Sequence, residues 1–310
     1  MCLWGNIMAN ILIKAGAFVA IIILGYVLRR VGFFKEEDFH VLAKIVLKIT
    51  MPMAIVSNFA GAVVEPSLLT LSLLGLGGGV LMICLAFLLT IGKSGEERAF
   101  HILNMSGYNI GNFSMPFAQG FLGPVGVVAT SLFDAGNAII CLGGSYSLAS
   151  MSAEGKKKIS VMPMVKTLFK SIPFDIYLFM TVLSLLHLTI PSPILSFAGI
   201  VGNANAFMAM LMVGVGFKLS GDKNQMGKIV KIILVRYATA IILSLGFFYL
   251  LPFELEYRQA LAILVFSPIA SAAPAFTAEM EGDFGLASAV NSVSIVVSIV
   301  LMTITLLLVL

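Results

Sequence analysis

The chain alternates long apolar runs with short polar connections. Each run extends over about 20 residues without alternating polar and apolar positions, which is typical of a membrane-spanning helix and not of a barrel strand. The pattern predicts ten spans, which cover residues 9–28, 41–62, 67–91, 99–120, 124–149, 172–190, 194–217, 229–251, 259–278 and 284–310. Composition agrees, since 59% of the 310 residues are hydrophobic, 11% are charged and the mean hydropathy is +1.05. We therefore expect an all-α integral membrane protein surrounded by a lipid bilayer.

The basic residues concentrate in every second connection. They are Arg29, Arg30, Lys35, Lys93, Arg98, Lys156, Lys157, Lys158, Lys166, Lys170, Lys218, Lys223 and Lys228. The intervening connections hold few, with Arg258 as the main exception. By the positive-inside rule, the basic connections face the cytoplasm and both termini lie outside, in a plasma or inner membrane. These basic residues set the orientation of the chain in the membrane and lie beside anionic lipid headgroups. The net charge of +4 therefore gives no reason to expect a nucleic acid partner.

The ten predicted spans divide into two sets of five. A basic hydrophilic connection at 151–170 separates a first repeat, residues 1–150, from a second repeat, residues 171–310. Because five is an odd number, the two repeats cross the membrane in opposite orientations, as in transporters built from inverted repeats.

The fourth span of each repeat contains residues that interrupt a helix. Residues 107–120 read GYNIGNFSMPFAQG, and residues 267–276 read SPIASAAPAF. A proline inside a helix removes a hydrogen-bond donor and clashes with the preceding turn, so Pro116 and Pro274 predict breaks in the fourth and ninth helices. Non-helical backbone at membrane depth has to be buried in protein or line water, so we expect the two breaks to cross near the midplane.

Each second half-helix is predicted to begin at its proline. Ser114 and Ser271 precede Pro116 and Pro274 and are the predicted caps of these half-helices. The free N–H groups at such helix starts carry partial positive charge. The two breaks therefore predict a midplane binding site for an anion.

Several stretches of the chain resemble the auxin efflux carrier family. They are ILGYVLRRVGFF at 23–34, MPMAIVSNF at 51–59, NIGNFSMPFAQGFLG at 109–123, FDAGN at 133–137 and SPIASAAPAF at 267–276. The resemblance implies a ten-helix carrier, a 5+5 inverted repeat with helices 4 and 9 broken and crossing, similar in arrangement to bile-acid symporters. It also implies a scaffold domain and a transport domain, each drawn from both repeats, and an elevator-like motion that moves small carboxylates.

The resemblance also indicates which residues would bind the anion. Asn112 is similar in position to the second asparagine of the Asn-Pro-Asn crossover motif of plant members, and Pro274 to the proline of their ninth helix. Here the proline follows only at position 116, so the resemblance does not specify auxin. The substrate-binding candidates are Asn109, Asn112, Ser114, Pro116, Gln119, Asn203, Asn205, Ser271 and Pro274, with the choice between the two asparagines of the seventh span left open. The alternative for each amide is a bond between neighbouring helices.

Acidic residues in or beside the spans are candidates for ion coupling. Asp134 lies in the fifth predicted span, where a carboxylate is costly unless it is paired, protonated or hydrated. Its two interpretations are coupling to H⁺ or Na⁺ and a structural bond to the crossover backbone. Asn137, in the same FDAGN stretch, and Glu279, close to the ninth-helix break, complete the coupling-ion candidates. For Glu279 the alternative is membership of a hydrated loop.

Other functional classes lack the motifs that they need. The GKS at 92–94 has Phe87 where a phosphate-binding loop requires glycine, and no HExxH motif is present, so we expect no ATPase, protease or other enzyme. Cys2, Cys84 and Cys141 show no paired spacing, so we expect neither a metal site nor a cofactor. We predict a secondary transporter of small organic anions. An anion channel or a membrane sensor on a transporter fold is the alternative, and a homodimer remains open.

Overall fold

The computed structural model describes residues 2–60, 62, 64–154, 161–218 and 225–310. Within these ranges the chain forms sixteen α-helices and no strand. The helices are α1 (Cys2–Arg30), α2 (Asp38–Ile45), α3 (Met51–Asn58), α4 (Thr70–Leu89), α5 (Gly95–Met105), α6 (Met115–Phe121), α7 (Gly123–Ile139), α8 (Ser145–Glu154), α9 (Val161–Leu168), α10 (Ile172–Leu185), α11 (Ser192–Asn203), α12 (Asn205–Gly216), α13 (Met226–Leu250), α14 (Leu255–Leu264), α15 (Ala273–Glu279) and α16 (Phe284–Val309). The basic residues at 156–158 and Lys223 lie outside the described residues.

The long helical segments agree with the predicted spans. By length and composition, seven segments of the described chain could cross a membrane: Met8–Arg30, Asp38–Asn58, Pro66–Leu89, Gly123–Ala153, Ser192–Gly216, Met226–Leu250 and Phe284–Val309. Helix α10 is a shorter apolar helix. The prediction of an all-helical membrane protein is therefore confirmed. The other two predicted spans, 99–120 and 259–278, are not continuous helices.

Both of these spans are interrupted as predicted, but only the second break lies directly before its proline; in the first span helical structure resumes at Ile110, before Pro116. Helix α5 ends at Met105, and a π-helical turn, Ile110–Ser114, precedes α6. In the span predicted at 259–278, α14 ends at Leu264 and helical structure resumes only at α15. Pro274 lies in the first turn of α15, where the missing N–H has no intrahelical partner to lose, whereas Pro116 lies at the start of α6 directly after the π-helical turn.

The two interruptions contact each other through their backbones. The N–H of Asn109 donates to the carbonyl of Pro268 at 2.8 Å, and the N–H of Ala270 donates to the carbonyl of Gly107 at 3.3 Å. Tyr108 and Ile269 thereby form an isolated antiparallel bridge. Backbone groups released from a helix need other partners where water is excluded, and each interruption supplies them to the other. We call this pair of contacting segments the crossover.

The predicted caps are wrong. Ser114 precedes α6 directly, but its backbone is helical and its hydroxyl makes no capping bond. The π-helical turn already supplies a carbonyl to the start of α6, because the N–H of Met115 bonds the carbonyl of Ile110. At α15 the residue in the cap position is Ala272, one residue after Ser271. Both serine hydroxyls bond side chains of the opposite interruption instead.

Glycines allow the helices beside the crossover to pack closely. A Cβ on Gly75 of α4 would collide with the carbonyl oxygen of Phe133 in α7, and one on Gly136 of α7 would collide with the carbonyl oxygen of Ser72. Small residues are the usual means of close backbone approach between membrane helices. This contact fixes α7, which carries Asp134, against α4.

Candidate functional site

A cavity of about 410 Å³ lies beside the crossover. Residues of both interruptions line it, together with α7, α10 and the π-helical turn Val46–Thr50. The predicted site residues along its wall are Asn109, Asn112, Asp134, Asn137 and Ser271. The fold therefore brings five of the predicted residues together from three separate parts of the chain.

Two buried amides of the first interruption face this cavity with free hydrogen-bonding capacity. Asn112 is 8% exposed, and its Nδ2 donates to Ser271 Oγ at 3.1 Å. Its Oδ1 has no partner among the described residues. Asn109 is 7% exposed, and within the described chain its side chain makes no hydrogen bond. Nδ2 has two N–H groups and donates one of them to Ser271, so the Asn112 amide keeps a second donor as well as the unused acceptor Oδ1.

Asp134 belongs to a hydrogen-bonded network that holds the first interruption. Asn137 Nδ2 donates to Asp134 Oδ1 at 2.8 Å and to the carbonyl of Tyr108 at 2.8 Å. Asn137 Oδ1 accepts from the N–H of Tyr108 at 3.1 Å. Tyr177 of α10 donates to Asp134 Oδ2 at 2.9 Å, so the carboxylate also links α7 to α10. No basic side chain of the described residues forms an ion pair with Asp134.

Another group of predicted residues makes internal bonds away from the cavity. Ser114 pairs with the Ser267 hydroxyl at 2.6 Å, fully buried between the two interruptions. Gln119 donates to the carbonyl of Gly202 at 3.1 Å and accepts from Asn205 Nδ2 at 3.5 Å. Asn205 is 0% exposed and accepts from Thr50 at 3.0 Å. These amides join α6, α11 and α12 and line neither this cavity nor the one described next.

The remaining candidates lie at the edges of the region. Pro116 is buried in the first turn of α6. Asn203 is exposed at the end of α11. Glu279 accepts a hydrogen bond from Tyr146 at 3.2 Å at the exposed end of α15.

A second cavity, of about 460 Å³, lies against α12 and α16. It shares Asn109 and Ser271 with the first cavity and is also lined by Pro274. Lys218 and Glu36, which form an ion pair, belong to its wall. The hydrogen bond and the positive charge of Lys218 hold the pKa of the Glu36 carboxyl below its ordinary value.

One residue at the crossover was missed by the sequence reasoning. Arg236 of α13 is 0% exposed, and its guanidinium donates to carbonyls of both interruptions. The available signal was a charged residue well inside the apolar span predicted at 229–251, whose other charged residue, Lys231, lies near its start. Tyr177 was also missed, because a tyrosine in an apolar span carries no distinctive pattern.

Comparison with known proteins assigns the chain to a family. The model of one family, described as membrane transport protein, matches residues 13–307. No curated protein matches the chain. The match covers nearly all of the 310 residues, including both interruptions and both cavities. The chain therefore belongs to the membrane transport proteins of the auxin efflux carrier family.

Proposed function

We propose that this protein is a secondary transporter of small organic anions, with carboxylates as its substrates. The observation that carries the proposal is the pair of buried asparagines on the wall of the first cavity, Asn109 and Asn112, whose amides keep hydrogen-bonding capacity that the described fold does not use. Neutral amide N–H groups bind a carboxylate well where they are shielded from water. A cavity of about 410 Å³ is within the size range of small-molecule sites.

The membrane arrangement in this proposal has ten crossings. The seven long apolar segments, the shorter α10 and the two interrupted helices add up to that number. The interruptions fall at corresponding positions of residues 1–150 and 171–310, which supports a 5+5 inverted repeat with the substrate site between the repeats. Alternating access then consists of an elevator-like motion of a transport domain against a scaffold domain.

Charge at the cavity walls supports a cytoplasmic opening. Lys48 and Lys170 line the first cavity, and Arg29 and Lys218 line the second. Most of these residues lie in or beside the basic connections that the positive-inside rule assigns to the cytoplasm. The Gln225 side chain donates to Asp283 at 2.6 Å, so the connection before α13 and the connection before α16 lie at the same end of the helices. Both connections are therefore on the side that we assign to the cytoplasm. Cations at the mouth raise the local concentration of an anionic substrate.

Energetics distinguish export from uptake. Moving one negative charge out of a cell with a negative interior gains about 2.3 kcal/mol per 100 mV, so export of a monoanion needs no coupled ion. Uptake requires one, and in this proposal Asp134, held by Asn137, is the group that carries H⁺ or Na⁺. The bond between Asp134 of α7 and Tyr177 of α10 supports this role, since a protonation change at Asp134 alters that bond. Glu279 remains a predicted second coupling residue.

Cys141 provides the test, because it lines the first cavity. In a variant that keeps only this cysteine, we expect one class of small carboxylates to slow alkylation by N-ethylmaleimide. The matched control keeps only Cys84, which is exposed on α4 and lines no part of either cavity, and no carboxylate should protect it. The protecting compounds are then assayed for transport in proteoliposomes with and without H⁺ and Na⁺ gradients. If none of the small carboxylates tested protects Cys141 and none is transported, the proposed function is refuted.

A further inference from the structure

Arg236 lies at a position where a charged side chain is energetically unfavourable. It lies ten residues after the start of α13, which places it about 15 Å along the helix at a rise of about 1.5 Å per residue. Arg236 is therefore well inside the apolar span Met226–Leu250, where a charged side chain is strongly disfavoured unless protein groups replace its hydration. Within the described residues no carboxylate forms an ion pair with it. Its stabilisation has to come from other groups.

Those groups are backbone carbonyls of the crossover. One guanidinium nitrogen donates to the carbonyl of Met105. The other donates to the carbonyls of Gly107 at 3.0 Å, Ser267 at 3.0 Å and Pro268 at 3.3 Å. Met105 is the last residue of α5, where the carbonyls lack intrahelical partners, and the other three carbonyls lie in the two interruptions, just beyond the ends of α5 and α14. Because each helix end carries about half a negative charge, one guanidinium lies beside two negative helix ends.

Two of these carbonyls also hold the crossover bridge. The carbonyl of Pro268 accepts from the N–H of Asn109, and the carbonyl of Gly107 accepts from the N–H of Ala270. Asn109 is one of the free amides of the cavity, and Ala270 directly precedes Ser271, which pairs with Asn112. Arg236 thus contacts the same two oxygen atoms that fix the backbone beneath the amides.

We propose that Arg236 is a positioning residue for the anion site. It bonds the carbonyls of both interruptions and thereby fixes the segments that carry the amides of Asn109 and Asn112 on the cavity wall. We call the hydrogen bonds of Arg236 to both interruptions the clamp. The role of Arg236 in anion binding rests on the proposed function, whereas the clamp does not.

The geometry requires arginine and not merely a positive charge. The four acceptors lie on two separate chain segments, and the planar guanidinium presents several N–H donors in a fixed fork that reaches both. A lysine ammonium is a compact charge on a flexible stem and cannot hold both segments in the same way. Arg236→Lys therefore keeps the positive charge but removes the planar set of N–H donors that bonds both segments.

Cys141 reports on the clamp without any substrate. Its thiol lies 3.7 Å from the carbonyl of Tyr108 and 3.3 Å from Asn137 Oδ1, so it contacts the segment that Arg236 holds. In the variant with Cys141 as its sole cysteine, we expect Arg236→Lys to speed labelling by N-ethylmaleimide about tenfold, the change that corresponds to loss of one bond to a charged group. Arg236→Met should have a larger effect, and the lysine variant serves if the methionine variant does not fold.

Arg258→Lys is the matched control. Arg258 also donates to a helix-end carbonyl, that of Phe248 at 3.0 Å, but it lies near the start of α14, whereas the crossover follows the end of that helix. Its replacement should leave the labelling rate of Cys141 unchanged. For the carboxylate that protects Cys141, Arg236→Lys should raise the transport KM about tenfold and change kcat less.

The two readouts separate this inference from the proposed function. If no carboxylate is transported but Arg236→Lys speeds labelling, the clamp stands and the proposed function fails. If transport is found and Arg236→Lys matches the wild type in both labelling rate and KM, the positioning role of Arg236 is overturned.

Discussion

Replacing Asn112 by alanine tests the candidate site most directly. The change removes an amide that is 8% exposed on the cavity wall and bonds one partner in the described chain, Ser271. The oxygen of that amide has no partner there, so the side chain has capacity that the fold itself does not use. The fold loses one neutral bond, while a bound carboxylate loses a donor.

The two losses differ in size. A hydrogen bond to a charged group in a shielded site contributes about 1.5–3 kcal/mol, so Asn112→Ala should weaken carboxylate binding roughly ten- to a hundredfold. Ser271 is exposed to the cavity, so its hydroxyl remains hydrated and stability without substrate should fall by only about 1 kcal/mol.

Binding is measured by protection of Cys141 and confirmed by transport in proteoliposomes. Ser271→Ala should give a smaller loss of the same kind, because it removes only the partner of the amide. Asn203→Ala is the matched control, since Asn203 is exposed and lines neither cavity. If Asn112→Ala binds and transports the identified carboxylate as the wild type does, the crossover amides are not the substrate site.

Three further predictions concern topology, coupling and packing. In a cysteine-free background, a cysteine at position 93 should react with an impermeant maleimide only from the cytoplasm and one at 191 only from outside; the opposite pattern would reverse the topology. Asp134→Asn should fold and abolish the pH dependence of transport, and an unchanged pH profile would leave Asp134 a structural role. Gly75→Ala should lower stability in detergent by about 1–3 kcal/mol because its Cβ meets a backbone carbonyl, whereas Gly77→Ala, with open space around it, should be neutral; equal effects would contradict the packing argument.

The sequence by itself determined the features that depend on local chemistry. The lengths of the apolar runs predicted the helices, because a bilayer sets the number of apolar residues that a span requires. Pro116 and Pro274 predicted which two spans are interrupted, because a proline disturbs its own preceding turn, and Pro274 also predicted the position of its break. Asp134 and Asn112 were recognisable as candidates because polar side chains at membrane depth are energetically costly and are therefore usually paired or functional.

Only the tertiary structure decided which of those polar groups face a cavity and which are satisfied internally. Gln119 and Asn205 are the same kind of residue as Asn112, but their amides bond other helices. Ser114 failed as a cap because a π-helical turn supplied the carbonyl that α6 needed. Arg236 meets its acceptors across separations of 31 to 131 residues. Such pairings depend on how distant helices pack, and no local pattern in the chain encodes the distance between two atoms brought together by folding.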